Sequence, residues 1–295
     1  MRSRRLAAVL SATACALTGA LASGIAPAQA AAHAQQAPAA APSGVVAAGG
    51  DLVNVTSGTT MWSRGLRTER PIASLTKVMT AMVVLADGGL DRKIKITAAA
   101  GRYAAAHDAG SAGLHVGDVL TARQLLEALL LPSGADAAYL LANSYGPGWR
   151  AFVRSMNAKA VKLGMTRTHF ANFDGLPWPT PYAGYSTPRD LLIMGKAAMK
   201  RPIFQAIVGQ RSYTIRATAT HHRYVWANTD LLLGSYPGAI GIKTGFTTKA
   251  GYCLLFDARR GGTELMGVIL DSTNTNASMR FTAARRLLNW GFTQG

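Results

Sequence analysis

The sequence predicts an α+β fold in which an antiparallel sheet, built from both ends of the chain, is flanked by helices. Three observations predict it. Strand patterns come first, an inserted all-helical region follows over roughly residues 97–235, and three more strand patterns precede a closing helix. With 295 residues, 49% of them hydrophobic, the chain can bury a core, and its 15% of charged residues excludes a disordered protein.

The N-terminal part of this fold contains short strand patterns and one apolar helix. Residues 45–48, 52–55 and 60–62 predict extended segments next to turn residues. The apolar residues 74–86 predict a long helix, which ends at the glycine pair 88–89.

The middle of the chain carries clear signals for the starts of helices. A capping box formed by Thr121 and Gln124 opens one helix, and Thr187, followed by a proline, opens another. The elements predicted for this part are a strand at residues 93–96 and helices at 121–131, 135–143, 149–163 and from 187 onward.

The C-terminal part returns to strand patterns. Residues 239–244, 251–257 and 264–271 predict strands, and residues 277–290 predict the closing helix. Strands at both ends of a chain can join one antiparallel sheet, so the helical region is expected to be an insertion between its parts.

The first 30 residues have the pattern of a cleavable export signal. Arg2, Arg4 and Arg5 precede an apolar stretch at residues 6–21, and small residues at 28–30 offer a cleavage site. A short membrane anchor is the alternative, although polar residues interrupt the apolar stretch. We therefore expect an exported protein, extracellular or associated with the cell wall.

Residues 31–43, rich in Ala, Pro and Gln, predict a disordered linker, and a single folded domain is expected over residues 44–295. Loss of residues 1–30 leaves one cysteine, Cys253, so no internal disulfide can form, and we expect Cys253 in the core. The protein is expected to be a monomer.

The formal charge of +17 suggests attraction to anionic cell-wall polymers, unless the charge only serves solubility. Nucleic acid is not expected as a partner, because no run of five or more Lys or Arg residues forms a binding arm.

Ser74 and Lys77 form the first candidate for chemistry. Three residues apart on a helix, their side chains share a face, and a neutral lysine can activate a serine as a nucleophile. A free lysine is protonated at neutral pH, so burial or a second cation must favour the neutral form. Such a pair also occurs by chance in many chains.

Two further motifs lie downstream. Ser133 follows a helix, where it is either the N-cap of the next helix or a reactive hydroxyl. Lys243, Thr244 and Gly245 place a positive charge and a hydroxyl beside backbone that a ligand can approach closely, which would suit a carboxylate. An exposed lysine at a strand end is the alternative for Lys243.

Together, the three motifs in this order are the signature of penicillin-binding proteins and class A β-lactamases. Further matches are residues 71–77, Asn172 with Gly175-Leu176, residues 185–187 and residues 287–292. Over nearly all of residues 45–295 the chain resembles the low-molecular-mass penicillin-binding proteins that are serine D-Ala-D-Ala carboxypeptidases, with a β-lactamase/transpeptidase-like fold.

The resemblance implies a set of roles for the matching residues. It implies a peptidase that removes the terminal D-alanine of peptidoglycan stem peptides ending in D-Ala-D-Ala, that β-lactams inhibit covalently, and that uses no cofactor or metal. The implied roles are Ser74 as nucleophile, Lys77 as general base, Ser133 as proton relay, Lys243, Thr244, Gly245, Thr247 and Arg280 as substrate-binding residues, and the backbone N–H groups of Ser74 and Phe246 as the oxyanion hole.

The chain departs from the family pattern at one motif position. Ala135 stands where the family usually has an Asn that contacts the substrate peptide. We expect altered substrate affinity, or a compensating group nearby, with activity preserved. Many relatives also add a C-terminal β-rich domain and a membrane anchor, and neither is expected here.

Two alternative functions stay open at this point. A β-lactamase needs a deacylating residue, but Glu69, Glu127 and Glu264 all lie outside the stretch between the second and third motifs, which leaves Asp174 as a substitute. A non-catalytic wall-binding protein is the other alternative, although it would not need the whole set of reactive residues. Metal catalysis is not expected, because the six histidines contain no His-Glu-x-x-His pair.

Overall fold

The computed structural model of the protein describes residues 41–294. The predicted signal peptide at residues 1–30, and the predicted linker up to residue 40, lie outside the described residues and stay predictions. Within residues 41–294, no helix is both long enough and apolar enough to cross a membrane.

The described residues form strands and helices in an order close to the expected one. The elements are β1 (Gly49–Asn54), β2 (Thr60–Arg64), α1 (Thr76–Asp87), β3 (Lys93–Lys95), α2 (Ala98–Ala106), β4 (Val119–Thr121), α3 (Ala122–Leu130), α4 (Ala135–Ser144), α5 (Trp149–Leu163), α6 (Pro188–Met199), α7 (Pro202–Val208), β5 (Ser212–Ile215), β6 (Tyr224–Ala227), β7 (Ala239–Thr247), β8 (Gly251–Arg260), β9 (Thr263–Leu270) and α8 (Met279–Gly291).

The main sheet confirms the predicted α+β architecture. Its five strands lie in the order β2-β1-β9-β8-β7, and every neighbouring pair is antiparallel. The N-terminal strands β1 and β2 therefore complete a sheet whose other three strands come from the C-terminal part. This arrangement leaves β7 as an edge strand, with one side open to a ligand.

The strand predicted at residues 45–48 is wrong. The carbonyl groups of Val45 and Ala47 accept hydrogen bonds from the guanidinium of Arg64, at 2.9 and 3.0 Å, instead of from a neighbouring strand. Both side chains are buried, which explains their apolar pattern. The hydrophobic pattern was thus set by burial and not by strand pairing.

The inserted region is helical apart from two short ribbons that the sequence did not predict as pairs. β3 pairs with β4, and β5 pairs with β6, both antiparallel. In β6 the side chains alternate between buried and exposed positions, which is the usual strand pattern. The ribbon of β5 and β6 was missed because each of its strands is only four residues long.

Helix starts and ends follow the capping signals. Thr121 and Gln124 form the predicted capping box of α3, and the hydroxyl of Thr187 accepts the hydrogen bond of Asp190 N at the start of α6. α5 ends at Gly164, whose φ of 77° is left-handed. α1 begins at Thr76, two residues later than predicted, because Ala73–Leu75 forms a 3₁₀ turn.

Apolar side chains cover both faces of the sheet. One cluster joins the sheet to the inserted helices through α1, whose residues Val78 and Met79 are fully buried. A second cluster packs α8 through Leu287 and Leu288 against the other face. Because α1 packs against both the sheet and the inserted helices, it is the central helix of the domain. Cys253 is fully buried, as predicted.

Packing of the sheet leads to a first prediction. Gly267 pairs with Phe256 across β8 and β9, and a Cβ at Gly267 would collide with the buried Phe256 ring. Gly267→Ala should therefore lower the free energy of unfolding by about 1–3 kcal/mol, measured by urea denaturation.

The matched control for this substitution is Gly101→Ala in α2. A Cβ at Gly101 meets open space, so this change should raise the free energy of unfolding by about 0.5–1 kcal/mol. Equal effects of the two substitutions would contradict the packing described for β8 and β9.

Candidate active site

Ser74 lies in the 3₁₀ turn that leads into α1. The preceding residue, Ala73, has a φ of 47°, in the left-handed region that residues other than glycine rarely adopt. Gly175, with a φ of 83°, packs against this turn so closely that a Cβ would collide with the Ala73 carbonyl group. The loop of Gly175 therefore helps to hold Ser74 in a strained turn, as is common at functional sites.

Lys77 lies one turn further along, at the start of α1, and reaches both serines of the predicted motifs. Its Nζ lies within hydrogen-bonding distance of Ser74 Oγ (3.0 Å), Ser133 O (2.9 Å) and Ser133 Oγ (3.4 Å). Lys77 is only 2% exposed. The structure thus brings the first and second motifs together around one buried amine.

The surroundings of Lys77 favour its neutral form. Burial lowers the pKa of Lys77, while the carboxylates of Asp174 and Asp136 act in the opposite direction. Of the two causes expected from the sequence, burial or a second cation, burial is the main one, because it penalises the charged ammonium.

Ser133 occupies the turn between α3 and α4, with a φ of 67°. The alternative role as a helix N-cap is wrong, because the N-cap position of α4 is Gly134 and, within residues 41–294, no side chain caps it. The hydroxyl of Ser133 lies beside Lys77 instead. Its left-handed backbone differs from the extended backbone that an N-cap serine usually has.

The third motif lies on the edge strand β7. A Cβ at Gly245 would lie 3.1 Å from Ile72 O and 3.2 Å from Ser74 N, so glycine lets the strand approach the turn of Ser74. Thr244 is 5% exposed and Lys243 is 1% exposed. The alternative of an exposed lysine at a strand end is therefore wrong.

Lys243 is a second buried amine. Its Nζ has no hydrogen-bond partner among residues 41–294. Burial, followed by the charges of Lys77 and Arg280, holds the pKa of Lys243 well below its usual value, and Asp230 acts in the opposite direction. Burial also raises the pKa of Asp230 to about 6. An anionic ligand would give Lys243 the partner that it lacks.

The remaining predicted residues lie at the end of β7 and at the start of α8. Phe246 is 42% exposed, and its ring stacks on Tyr252 at 4.2 Å. Thr247 Oγ1 accepts a hydrogen bond from Ala250 N at 3.1 Å. Arg280 Nη1 donates to Gly245 O at 3.2 Å, so this arginine belongs to the site and is not a solvated helix residue.

Apart from the buried Lys243, the predicted site residues line a cavity of about 430 Å³. Sequence reasoning missed several residues that line it, because they lie in loops without a recognisable pattern. The missed lining residues include His107, Asp108, Ala109, Gly110, Pro177, Thr229 and Tyr252. A larger cavity of about 520 Å³ lies beside Asp230 and the start of α8, and none of the motif side chains lines it.

Ala135 does not line the 430 Å³ cavity, and it is 1% exposed. Its N–H donates to Gly110 O at 2.8 Å. The next residue, Asp136, accepts hydrogen bonds from Ser111 Oγ at 2.6 Å and Ala112 N at 2.9 Å. This part of the second motif therefore holds the loop that forms one wall of the cavity.

Asp174, the candidate for a deacylating residue, is fully buried and also does not line the cavity. Its two oxygens accept hydrogen bonds from Tyr103 Oη at 2.7 Å and Leu176 N at 3.2 Å.

Within residues 41–294, His, Cys, Asp and Glu side chains form no group of three or more that could hold a metal ion.

The arrangement is suited to acyl transfer. A serine hydroxyl lies beside an amine that favours its neutral form, which is the pairing that a nucleophile and its base require. Arg280 lines the cavity, and the buried Lys243, next to Thr244 on β7, adds a second cation, so that their charges can attract a carboxylate. The site can therefore bind a short chain by its anionic end and attack a nearby carbonyl.

Comparisons with known proteins agree with this geometry. The chain is 42% identical over 260 residues to a D-alanyl-D-alanine carboxypeptidase of Streptomyces sp. (strain K15), covering 84% of this chain and 88% of that protein. It is 36% identical over 242 residues to a D-alanyl-D-alanine carboxypeptidase of Mycobacterium tuberculosis, covering 82% and 80% of the two chains.

Solved structures and family profiles point the same way. The crystal structure of the Streptomyces K15 DD-transpeptidase superposes with a TM-score of 0.81 at 42% identity, covering 86% of this chain and 100% of that chain. The profile of the D-alanyl-D-alanine carboxypeptidase family matches residues 34–274. The chain therefore belongs to the D-alanyl-D-alanine carboxypeptidase family of serine peptidases.

Proposed function

We propose that the protein removes the terminal D-alanine from peptidoglycan stem peptides that end in D-Ala-D-Ala, through an acyl-enzyme at Ser74. One observation carries the proposal. The buried amine of Lys77 lies 3.0 Å from the hydroxyl of Ser74, in surroundings that lower its pKa. A neutral lysine at this distance can take the proton of the serine as it attacks.

In the proposed acylation, Ser74 Oγ forms a bond to the penultimate carbonyl carbon, and its proton passes to Lys77. The backbone N–H groups of Ser74 and Phe246 stabilise the negative charge on the carbonyl oxygen. The C–N bond then breaks, and the proton returns through Ser133 to the amine of the leaving D-alanine. Ser133 Oγ lies 3.4 Å from Lys77 Nζ, which supports this relay.

Water completes the proposed cycle. It attacks the ester carbonyl carbon and passes a proton to Lys77, which returns the proton to Ser74 Oγ as the ester C–O bond breaks and the shortened peptide leaves. One water molecule is consumed for each peptide bond that is cleaved.

A free carboxylate at the end of the substrate is the proposed recognition element. Lys243, Thr244, Thr247 and Arg280 would hold it, with Gly245 leaving room for the approach of the peptide. Support comes from the unpartnered Nζ of Lys243 within residues 41–294 and from Arg280, which adds a second cation beside β7. A charge-assisted contact of this kind favours cleavage at the end of a peptide over cleavage within it.

A β-lactam would acylate Ser74 by the same route. The β-lactamase alternative needs an additional base for rapid deacylation, but both oxygens of Asp174 already accept hydrogen bonds and Asp174 does not line the cavity. The non-catalytic wall-binding alternative leaves the Ser74–Lys77 pairing without a use.

We further propose that the protein works outside the cytoplasm as a monomer, extracellular or attached to the cell wall by charge. The export pattern of residues 1–30 supports this setting, as does the formal charge of +17, of which +14 (17 − 3) remains after loss of Arg2, Arg4 and Arg5. Anionic cell-wall polymers are the proposed non-substrate partners.

Acylation by penicillin tests the nucleophile. The mature protein should form a persistent covalent adduct, detected by intact mass, and Ser74→Ala should form none. Ser155→Ala, which removes an exposed hydroxyl on α5, is the matched control and should keep the adduct. A short-lived adduct with rapid consumption of penicillin would indicate a β-lactamase, and no adduct would contradict the role of Ser74.

The pH dependence of acylation tests the base. Because the pKa of Lys77 is lowered, its neutral fraction at a given pH exceeds that of a free lysine, and the acylation rate should fall as the pH falls and Lys77 becomes protonated. Lys77→Arg removes the proton acceptor and should lower the rate by about 10²–10⁴-fold, with loss of this acid limb.

Lys159→Arg is the matched control for this experiment. Lys159 lies on α5, and its pKa is also lowered by burial, but it does not line the cavity. The control should keep both the rate and the acid limb of the wild type. A Lys77→Arg variant with a wild-type pH profile would contradict the proposed base.

The unusual second motif provides another test. Ala135 is buried and holds the loop of Gly110, which lines the cavity, so the larger Asn should shift this wall. Ala135→Asn should therefore change the KM for a D-Ala-D-Ala peptide, while turnover stays within about tenfold of wild type. Steady-state kinetics on a variant with an unchanged melting temperature measures this. A rise in turnover by orders of magnitude would show that Ala135 impairs the site.

A further inference from the structure

Thr229 belongs to none of the three motifs, yet it contacts two of them. Its hydroxyl lies 2.6 Å from the hydroxyl of Thr244 on β7. Its backbone N–H donates to Leu131 O at 3.1 Å, and Leu131 lies two residues before Ser133. Thr229 also lines the 430 Å³ cavity. It therefore connects the edge strand to the turn of the second motif, at the wall where the substrate is expected.

The protons of the two hydroxyl groups can be arranged in two ways, since each carries one proton. If Thr229 donates to Leu131 O, at 3.3 Å, its oxygen accepts the proton of Thr244. If Thr229 donates to Thr244, at 2.6 Å, the proton of Thr244 is free to point into the cavity. Only the second arrangement gives a carboxylate in the cavity a hydroxyl donor.

Two features favour this second arrangement when a carboxylate is bound. The 2.6 Å contact is a hydrogen bond in both arrangements, so the second one loses only the long bond to Leu131 O and gains a charge-assisted bond from Thr244 to the carboxylate, which is the stronger of the two. The carbonyl of Leu131 also keeps the bond from the N–H of Thr229 when the hydroxyl turns away. Donation to Thr244 therefore leaves no buried group of Leu131 unsatisfied.

The backbone around Thr229 is fixed by its neighbours. Asn228 Nδ2 donates to Val208 O at 3.1 Å and to Gln210 O at 2.9 Å. Asn228 Oδ1 accepts from Asp230 N at 2.9 Å, on the other side of Thr229. With both flanking residues held, the hydroxyl of Thr229 is presented to Thr244 from a defined position.

We propose that Thr229 is a positioning residue that orders the proton of Thr244, so that Thr244 donates to the terminal carboxylate of the substrate. The inference rests on the proposed function and adds a residue to its carboxylate site. A hydroxyl that accepts one hydrogen bond becomes a better donor in the next, so the Thr229 bond strengthens the contact of Thr244 with the carboxylate.

Substitution of Thr229 by Val tests this role, because Val keeps the shape and removes the hydroxyl. For a peptide ending in D-Ala-D-Ala, Thr229→Val should raise KM roughly three- to tenfold, the value of one hydrogen bond, with kcat within about twofold. Thr229→Ser keeps a hydroxyl at the same position and should restore the wild-type KM. The same peptide with a C-terminal amide should show no comparable penalty, because it lacks the carboxylate.

Thr187→Val is the matched control. It removes the hydroxyl that caps α6, so it should lower the melting temperature without changing KM. An unchanged KM in Thr229→Val, failure of Thr229→Ser to restore KM, or an equal penalty for the amide peptide would each overturn the inference. A wild type that neither cleaves the peptide nor reacts with penicillin would instead overturn the proposed function, and the inference with it.

Discussion

Burial of the Lys77 amine is the constraint on which the site depends. The helix that carries it is the centre of the domain, with Val78 and Met79 packed against the sheet and the inserted helices. Within residues 41–294 the hydrogen-bond partners of Lys77 Nζ are two hydroxyls and a carbonyl, none of them charged. An ammonium there loses its hydration without gaining an ion pair, so the neutral amine is favoured. The fold thus produces the base by packing a lysine into its core.

The same physics gives Lys243, which is buried within β7, a different role. Lys77 is already hydrogen-bonded to the groups whose protons it would move, whereas Lys243 has no partner within residues 41–294 and has Arg280 and Asp230 as charged neighbours. An incoming carboxylate would supply the missing partner and restore the charged form of the amine. Both lysines have a lowered pKa, but their hydrogen-bond partners differ. Lys77 is therefore suited to proton transfer, and Lys243 is suited to binding a carboxylate.

Much of this could be predicted from sequence. Periodicity and caps placed the strands of both ends and helices such as α3 and α6, and the three motifs identified the residues that meet at the cavity. What the sequence lacked was tertiary information. The left-handed turn at Ser133, the close approach of Gly245 to Ser74 and the burial of Lys243 depend on contacts between distant segments. Thr229 was missed because a single threonine in a loop has no local signature. Residues 45–48 were wrongly predicted as a strand because buried residues outside a sheet can show the same apolar pattern.

The titration of Lys77 itself shows whether this amine can be the base. In protein labelled with ¹³C at the lysine Cε, the Lys77 resonance, assigned by its loss in Lys77→Met, can be followed by NMR as the pH is raised. We expect a midpoint clearly below that of the exposed lysines in the same spectrum, because burial lowers the pKa of Lys77. A midpoint at or above the ordinary value of about 10.4 would show that the amine is charged at neutral pH, and it would contradict the role of Lys77 as the base that activates Ser74.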